Sequence, residues 1–321
     1  MMRPLAPIPP LGRRATGLTL LSALVSGPAR AQAVESVTIL APGPEEGEAS
    51  RWATRAAAAL TRGFHRPVAL RVSALGGPDG VTAANRFATL DGGNGRTFLA
   101  LPGATCHARL TGASRARFQP GTWLPLLMSW HNVVLAGRGP LPARGAEPLR
   151  VAIPAPDAPE AAALAALDLL GLPARPVPGQ PELSFTTGQA DVLLVTGPDA
   201  SARALALGAT PWYQQTAPEA EASEIPSLPA ASPAARGVLA AFGALQMRAA
   251  LVMPLLTSAD TIAAWRRAAS RWQEEERALP VDGQALVGTA AAAAFALLAP
   301  APDAVLSYRN WLEQRLGWRA N

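Results

Sequence analysis

The chain alternates between short apolar runs bounded by Gly or Pro and longer stretches in which apolar residues recur every three or four positions. The short runs predict strands, and the longer stretches predict helices. The predicted strands are Val37–Leu40, Val68–Leu75, Thr97–Leu101, Trp123–Met128, Asn132–Ala136, Leu149–Ile153, Ala190–Val195 and Ala249–Pro254. The predicted helices are Glu46–Arg62, Val81–Leu90, Glu160–Leu170, Ala200–Leu207, Ser258–Ala278, Ala290–Ala299 and Asp303–Trp318. Strands that alternate with helices predict an α/β fold with parallel sheets, whose ligands bind at loops on the carboxyl edge.

A Pro- and Gly-rich stretch from Gly137 to Pro148 interrupts the pattern of strands and helices. Such a stretch predicts a connection between two lobes, because the same order of strand, loop and helix begins again after it. The chain is also long enough for two lobes. We expect residues 34–136 and 246–321 to form the first lobe and residues 137–245 the second, with the C-terminal helices folding back on the first lobe.

The first 33 residues have the pattern of a secretory signal. Arg3, Arg13 and Arg14 form a basic start, Ala15–Val25 is the apolar middle, and Ala31-Gln32-Ala33 is a small-x-small cleavage site. The apolar run is too short for a transmembrane helix. We therefore expect a protein exported to the periplasm, by the general secretory route or, through the paired arginines, by the twin-arginine route.

The charge of the chain argues against a nucleic-acid partner. The net charge is +5, and all 28 basic residues are arginines. The predicted signal contains four of these arginines and no acidic residue, so its removal leaves about +1. The remaining arginines are scattered along the predicted helices, whereas a nucleic-acid site needs a clustered basic patch.

Histidine and cysteine, which often carry catalysis or bind metals, are sparse. The three histidines, His65, His107 and His131, have no metal-ligand spacing, and the lone Cys106 can form neither a disulfide within the chain nor a thiolate metal site. Cys106 and His107 are neighbours at a predicted strand end, where adjacent side chains point apart. Gly92-Gly93-Asn94-Gly95 predicts a turn rather than a phosphate loop. We expect no metal, no cofactor and no catalytic residue.

The tryptophans have two different predicted roles. Most of them lie on predicted helices and are expected to be packing anchors. These are Trp52, Trp265, Trp272, Trp311 and Trp318. Trp130 borders the predicted crossing between the lobes and could line a cleft, although core packing is favoured.

Four short motifs stand in an order that is found in a known family. Pro42–Arg51 resembles its Pro-Gly-rich loop and helix start, and Leu75–Gly80 followed by Leu101–Thr105 resembles its Gly-x-Gly-Gly and Gly-Thr landmarks. Thr187–Leu193 resembles its Gly-Gly-Gln-Val-Asp motif, and Phe118–Ala136 its crossing region. The family is that of the extracytoplasmic solute receptors of tripartite tricarboxylate transporters, the Bug family, and the resemblance covers nearly all of the chain after the signal.

The resemblance implies a two-lobed, type II periplasmic-binding-protein fold that closes on a small, usually carboxylated, solute without catalysis. The partners would be the membrane components of a tripartite transporter or a sensor. Family ligands are held by backbone amides and ordered water, as suits a helix N-terminus. By position, the ligand-binding residues would be Gly43, Pro44, Glu45, Glu46, Gly103, Ala104, Thr105, Ser129, Pro156, Asp157, Ala158, Thr196, Gly197, Pro198 and Asp199, with His131 as a further candidate.

The first loop departs from the family pattern at Pro44, Glu45 and Glu46. Pro44 removes an amide donor, and a carboxylate pointing inward would repel a ligand carboxylate. Two interpretations stay open. Glu45, Glu46 and Glu48 face water at the helix N-terminus, or Glu45 or Glu46 recognises the amine of a zwitterionic or cationic ligand.

Three functional classes follow from these observations. The first is a solute receptor for a carboxylate or amino-acid-like compound. The second is a receptor-like interaction or sensor-accessory protein that has lost its small ligand, which the altered first loop keeps open. The third is an exported hydrolase using an acid near Glu46 and Asp199, which the missing nucleophile–base set disfavours.

Overall fold

The computed structural model describes residues 35–64, 67–90, 96–143, 147–218, 223–278, 280 and 282–320. The predicted signal at residues 1–33, the turn at residues 92–95 and the histidine at position 65 lie outside the described residues. The chain from residue 34 onward forms one compact unit.

The described residues form two mixed sheets covered by helices. The strands are β1 (Glu35–Pro42), β2 (Val68–Leu75), β3 (Thr97–Leu101), β4 (Trp123–Trp130), β5 (Asn132–Gly137), β6 (Leu149–Ile153), β7 (Ala174–Pro178), β8 (Val192–Gly197), β9 (Thr210–Gln215), β10 (Met247–Pro254) and β11 (Gln284–Val287). The helices are α1 (Glu48–Arg62), α2 (Val81–Thr89), α3 (Gly103–Thr111), α4 (Ala161–Leu170), α5 (Pro181–Thr186), α6 (Ala200–Ala206), α7 (Pro233–Gln246), α8 (Ala259–Ala278), α9 (Gly288–Leu297) and α10 (Pro302–Leu316).

The first sheet has the strand order β11-β4-β10-β3-β1-β2. β1 runs parallel to β2 and β3, and β10 runs antiparallel to β3 and β4. Its central strands are apolar on both faces because helices cover both sides, α1 and α8 on one and α2 and α9 on the other. Trp52, Trp265 and Trp272 fill the layer under α1 and α8, so their predicted packing role is confirmed.

The second sheet has the strand order β7-β6-β8-β5-β9. β6 is parallel to β7 and β8, whereas β5 is antiparallel to β8 and β9. Residues 132–136, which we assigned to the first lobe, therefore pair in the second sheet. Val133 and Val134 are buried on opposite faces of β5, which explains this position inside the sheet. The lobe limits otherwise stay a prediction.

The chain passes between the two sheets at His131 and again at the junction of α7 and β10. Gln246, which is fully buried, joins these crossings. The His131 amide donates to the Gln246 carbonyl at 2.8 Å, and the Gln246 side-chain amide donates to the carbonyls of His131 at 3.2 Å and Gln215 at 2.8 Å. The two crossing segments are thus held side by side.

The C-terminal helices fold back on the body of the protein. α9 packs on β4 and β11 of the first sheet, as predicted, and α10 packs against α3 and α7. α10 also contacts α4 beside the second sheet, where the Trp311 indole donates to the Asp168 carboxylate at 2.8 Å. Within the described ranges, no single helix is long and apolar enough to cross a membrane. α9 and α10 pass that test only as a pair, which is bent by 45°.

Candidate functional site

A cavity of about 550 Å³ lies where loops of the first sheet meet loops of the second. This volume suits a small-molecule ligand. The starts of α1, α3 and β10 line it on one side, and the segment that joins β8 to α6 lines it on the other. Since both sheets contribute, a ligand in the cavity would contact both halves of the protein.

The cavity gathers part of the predicted site. The predicted residues that line it are Gly43, Gly103, Ala104, Thr196, Gly197 and Pro198, together with His131. Gly103 and Ala104 begin α3, and the first amides of a helix have no partner within the helix. Such amides, at the positive end of the helix dipole, suit an anionic group.

The start of α3 is fixed by a very close approach to its neighbours. A Cβ atom built on Gly103 would lie 1.9 Å from the Ala244 carbonyl oxygen and 2.7 Å from that of Met247. Only glycine allows this contact with α7 and β10. The sequence predicted the end of a strand here, and the helix α3 corrects that prediction. Its amides are therefore held in place at the cavity wall.

Other predicted residues lie outside the cavity lining. They are Pro44, Glu45, Glu46, Thr105, Ser129, Pro156, Asp157, Ala158 and Asp199. A role for them in ligand binding stays a prediction. Pro44, Glu45, Glu46 and Asp199 are exposed to solvent.

Thr105 and Ser129 are buried, and both have hydrogen-bond partners inside the protein. The Thr105 hydroxyl donates to the Asp79 carbonyl at 2.7 Å, and the Ser129 hydroxyl accepts the indole N–H of Trp52 at 2.8 Å. These two side chains support the cavity wall from behind.

Trp52 is a wall residue that the sequence assigned to packing alone. It is buried in the layer under α1, yet it also lines the cavity one turn after Glu48. Trp130, the tryptophan considered for the cleft, is buried in the opposite layer with Phe295 and does not line the cavity. Glu48 and Trp52 are four residues apart and therefore share one helix face, and this spacing was the signal in the sequence that could have placed Trp52 at the cavity.

Arg248 is the residue of the cavity that sequence reasoning missed most clearly. Met247 pairs with Trp130 and Ala249 pairs with Ser129, so Arg248 is an extra residue in β10, a β-bulge. Bulges redirect side chains and are common beside functional sites. Arg248 is also the one charged residue in the apolar run of β10, a signal that could have marked it.

The Arg248 guanidinium is part of a small charge network. It forms an ion pair with Glu48, and its Nε lies 3.8 Å from the buried Asp282 carboxylate, which also pairs with Arg55. Burial lowers the pKa of Arg248. The cavity side of the first sheet therefore presents one cation and one anion next to each other.

The second sheet also contributes a cation to the cavity. Arg203, on α6, pairs with Glu182 and donates to the Thr196 carbonyl at 3.4 Å. His131 lies in the lining between the two sheets, and burial lowers the pKa of its imidazole. The ionised groups of the lining are thus Glu48, Arg203 and Arg248.

Cys106 and His107 lie on α3 away from the cavity lining, and both are buried. Burial raises the pKa of the Cys106 thiol to about 12 and lowers the pKa of His107 to about 4. Both groups are therefore neutral near pH 7. In the described part of the chain, no group of three or more His, Cys, Asp or Glu residues could hold a metal ion.

No family model matches the sequence, and none of the curated proteins does. Among solved structures, a TctC solute binding protein from Polaromonas, solved without ligand, is similar over 88% of this chain and 99% of its own, with a TM-score of 0.65 and 14% identity. The chain has the fold of a TctC protein. The predicted two-lobed, type II periplasmic-binding-protein-like α/β fold is confirmed.

Two further solved structures are similar to this chain at lower TM-scores. MatC from Rhodopseudomonas palustris with bound malate has 19% identity and a TM-score of 0.45, covering 88% of this chain and 99% of its own. An R. palustris protein with adipate has 14% identity and a TM-score of 0.48, covering 89% and 98%.

Proposed function

We propose that this protein is an exported receptor that captures a small carboxylate or amino-acid-like solute between its two lobes without catalysis. The observation that carries the proposal is the shared cavity, which is lined by loops of both sheets. A ligand that contacts both halves favours their closed arrangement, because it gains contacts there that the open arrangement lacks.

The charges of the cavity support a ligand that bears a carboxylate. Arg203 and Arg248 line it from the second and the first sheet respectively, and the α3 amides of Gly103 and Ala104 add backbone donors. Arginine binds carboxylates with two parallel hydrogen bonds, which fix orientation as well as affinity. A small carboxylate could therefore be held from both sides.

The composition of the lining supports binding rather than catalysis. The described lining contains one hydroxyl side chain, Thr196, and neither serine nor cysteine. The neighbouring thiol and imidazole of Cys106 and His107 are buried elsewhere. A hydrolase needs a nucleophile next to a base, and among the described residues no hydrogen bond joins the Thr196 hydroxyl to the His131 imidazole.

The biological setting follows from the predicted signal and the fold. Export would place the receptor in the periplasm, where the closed form would be recognised by the membrane components of a tripartite transporter or by a sensor. The similarity to a TctC solute binding protein supports this setting. A receptor of this kind needs no cofactor and no metal.

Thermal unfolding of the purified, exported protein against a panel of small solutes tests the proposal. The panel contains di- and tricarboxylates, amino acids, aromatic acids and polyamines. A ligand at a hundredfold excess over its Kd should stabilise the protein by about 3 kcal/mol. Arg203→Gln should weaken this stabilisation, whereas Arg86→Gln, at an exposed position on α2, should not. A panel without any stabilising solute would instead favour the interaction-protein alternative.

A further inference from the structure

The cavity presents a carboxylate and a guanidinium side by side on its first-sheet wall. We propose that the ligand is a zwitterion of the α-amino-acid type, whose carboxylate binds Arg248 and whose ammonium group binds Glu48. This inference rests on the receptor function proposed above and names the chemical class of its solute.

The two side chains are far apart in the sequence but lie on the same wall of the cavity. Glu48 is in the first turn of α1, and Arg248 is the bulge residue of β10. Both line the cavity, and they are joined by an ion pair. An amino acid carries the same two charges on adjacent groups, so it can match both partners at once.

Arg248 retains hydrogen-bonding capacity for a ligand. A guanidinium has five N–H donors, and the described residues give Arg248 two ionic contacts, with Glu48 and with Asp282. Asp282 is buried and also pairs with Arg55, so it holds Arg248 from behind. The remaining donors are available to a carboxylate.

The start of α3 lies beside the same bulge. Met247 is the residue before Arg248, and a Cβ atom on Gly103 would lie 2.7 Å from the Met247 carbonyl oxygen. The first amides of α3 are therefore close to the β10 bulge at the cavity wall. Backbone amides and a guanidinium together make a site for one carboxylate, as at other helix N-termini.

Glu48 retains capacity for an ammonium group. Its side chain is 60% exposed, and one carboxylate oxygen contacts Arg248. A carboxylate has about four acceptor positions, so an ammonium N–H can be accepted without breaking the ion pair. Glu45 and Glu46, the carboxylates first considered for an amine, lie outside the lining.

The charge balance of the lining favours a zwitterion over a dicarboxylate. Glu48, Arg203 and Arg248 sum to one positive charge, and Arg203 is already paired with Glu182. A dicarboxylate would bring two negative charges, with one of them near Glu48. Like charges in a partly dehydrated site are costly, which is how such sites reject a competing ligand.

Isothermal titration calorimetry, which measures the Kd of each acid for the purified, exported protein, tests the proposal with matched pairs of acids. The pairs are L-aspartate and succinate, L-glutamate and glutarate, and L-alanine and propionate, and the members of each pair differ by one amino group. We expect an amino acid to bind at least about tenfold more tightly than its partner, the effect of one charged hydrogen bond.

Variants assign the preference to the named residues. Glu48→Gln should weaken the binding of the amino acid at least about tenfold. The binding of the deamino partner should stay unchanged or become tighter. Glu48→Asp keeps the charge and should retain the preference. Arg248→Met should weaken both members of a pair. Glu274→Gln, the same change at an exposed carboxylate of α8 that also pairs with an arginine and lies outside the lining, is the matched control and should alter nothing.

The outcomes separate this inference from the receptor function. A deamino acid that binds as tightly as its amino acid, or a Glu48→Gln protein that behaves like Glu274→Gln, would overturn the zwitterion assignment and leave a carboxylate receptor. Binding of a polyamine alone would also overturn it, because Arg248 would then have no role. No binding by any probe, with citrate and aromatic acids added to the set, would overturn both proposals.

Discussion

Two arginine–carboxylate pairs use the same chemical groups in different surroundings. In the second sheet, the Asp191 carboxylate accepts from the Arg150 side chain at 2.6 and 2.9 Å and from the Arg150 backbone amide at 2.9 Å. We call this the sheet pair. In the cavity, Glu48 and Arg248 form what we call the cavity pair, in which one Glu48 oxygen contacts one Arg248 nitrogen.

The difference between the pairs is how much bonding capacity each has left. The sheet pair links β6 to β8 through side chain and backbone, and the hydrogen bonds from Arg150 lower the pKa of Asp191. The cavity pair joins a bulge to a helix start and leaves donors and acceptors unused. A pair whose hydrogen-bonding groups are all used within the protein stabilises the fold. A pair at a cavity that has unused donors and acceptors can bind a ligand.

The largest expected effect on stability is that of Asp191→Asn. The substitution removes the charge from a carboxylate that accepts three hydrogen bonds, so the free energy of unfolding should fall by about 2 kcal/mol. Chemical denaturation followed by tryptophan fluorescence measures this change. Asp157→Asn, in the loop after β6, is the control and should stay within about 0.5 kcal/mol. Equal losses in the two variants would mean that the sheet pair is no more stabilising than an unpaired loop carboxylate.

The next largest effect should be a pH dependence of the free energy of unfolding that comes from the sheet pair. Because the folded-state pKa of Asp191 is lowered, the pair contributes fully above the unfolded-state pKa of about 3.9. Its contribution is lost as the pH falls through the lower, folded-state value. The stability difference between the parent protein and Asp191→Asn should therefore narrow from about pH 5 towards more acidic conditions. A difference that stays constant over this range would show that the charge of Asp191 is not what stabilises the sheet.

Local sequence was sufficient for the parallel strands of the first sheet, whereas β7, which is parallel to β6 in the second sheet, was missed. Val68–Leu75 and Thr97–Leu101 were predicted with the observed bounds because each is an apolar run between strong breakers. α3 was missed, since Pro102-Gly103 resembles a turn and the helix depends on close packing against α7. β11 was also missed, because a strand of four residues is defined by its pairing with β4 rather than by its own pattern.

The candidate site was predictable to the extent that it consists of loops at the sheet edges. Gly103 and Gly197 line the cavity for that reason. The cavity pair could not be derived locally, because Glu48 looks like an ordinary helix-start carboxylate until β10 brings Arg248 beside it. The bulge that places Arg248 arises from the pairing of β10 with β4, which no local pattern encodes.

The smallest expected effect on stability is that of Glu48→Gln in the absence of ligand. The Glu48 side chain is 60% exposed, so solvent screens its ion pair with Arg248, and exposed pairs contribute about 0–1 kcal/mol. Asp282 remains near Arg248 in the variant, so the guanidinium keeps a counter-ion. The free energy of unfolding, measured as for Asp191→Asn, should change by less than about 0.5 kcal/mol. A loss as large as that of Asp191→Asn would show that the cavity pair is structural and would remove the distinction between the two pairs.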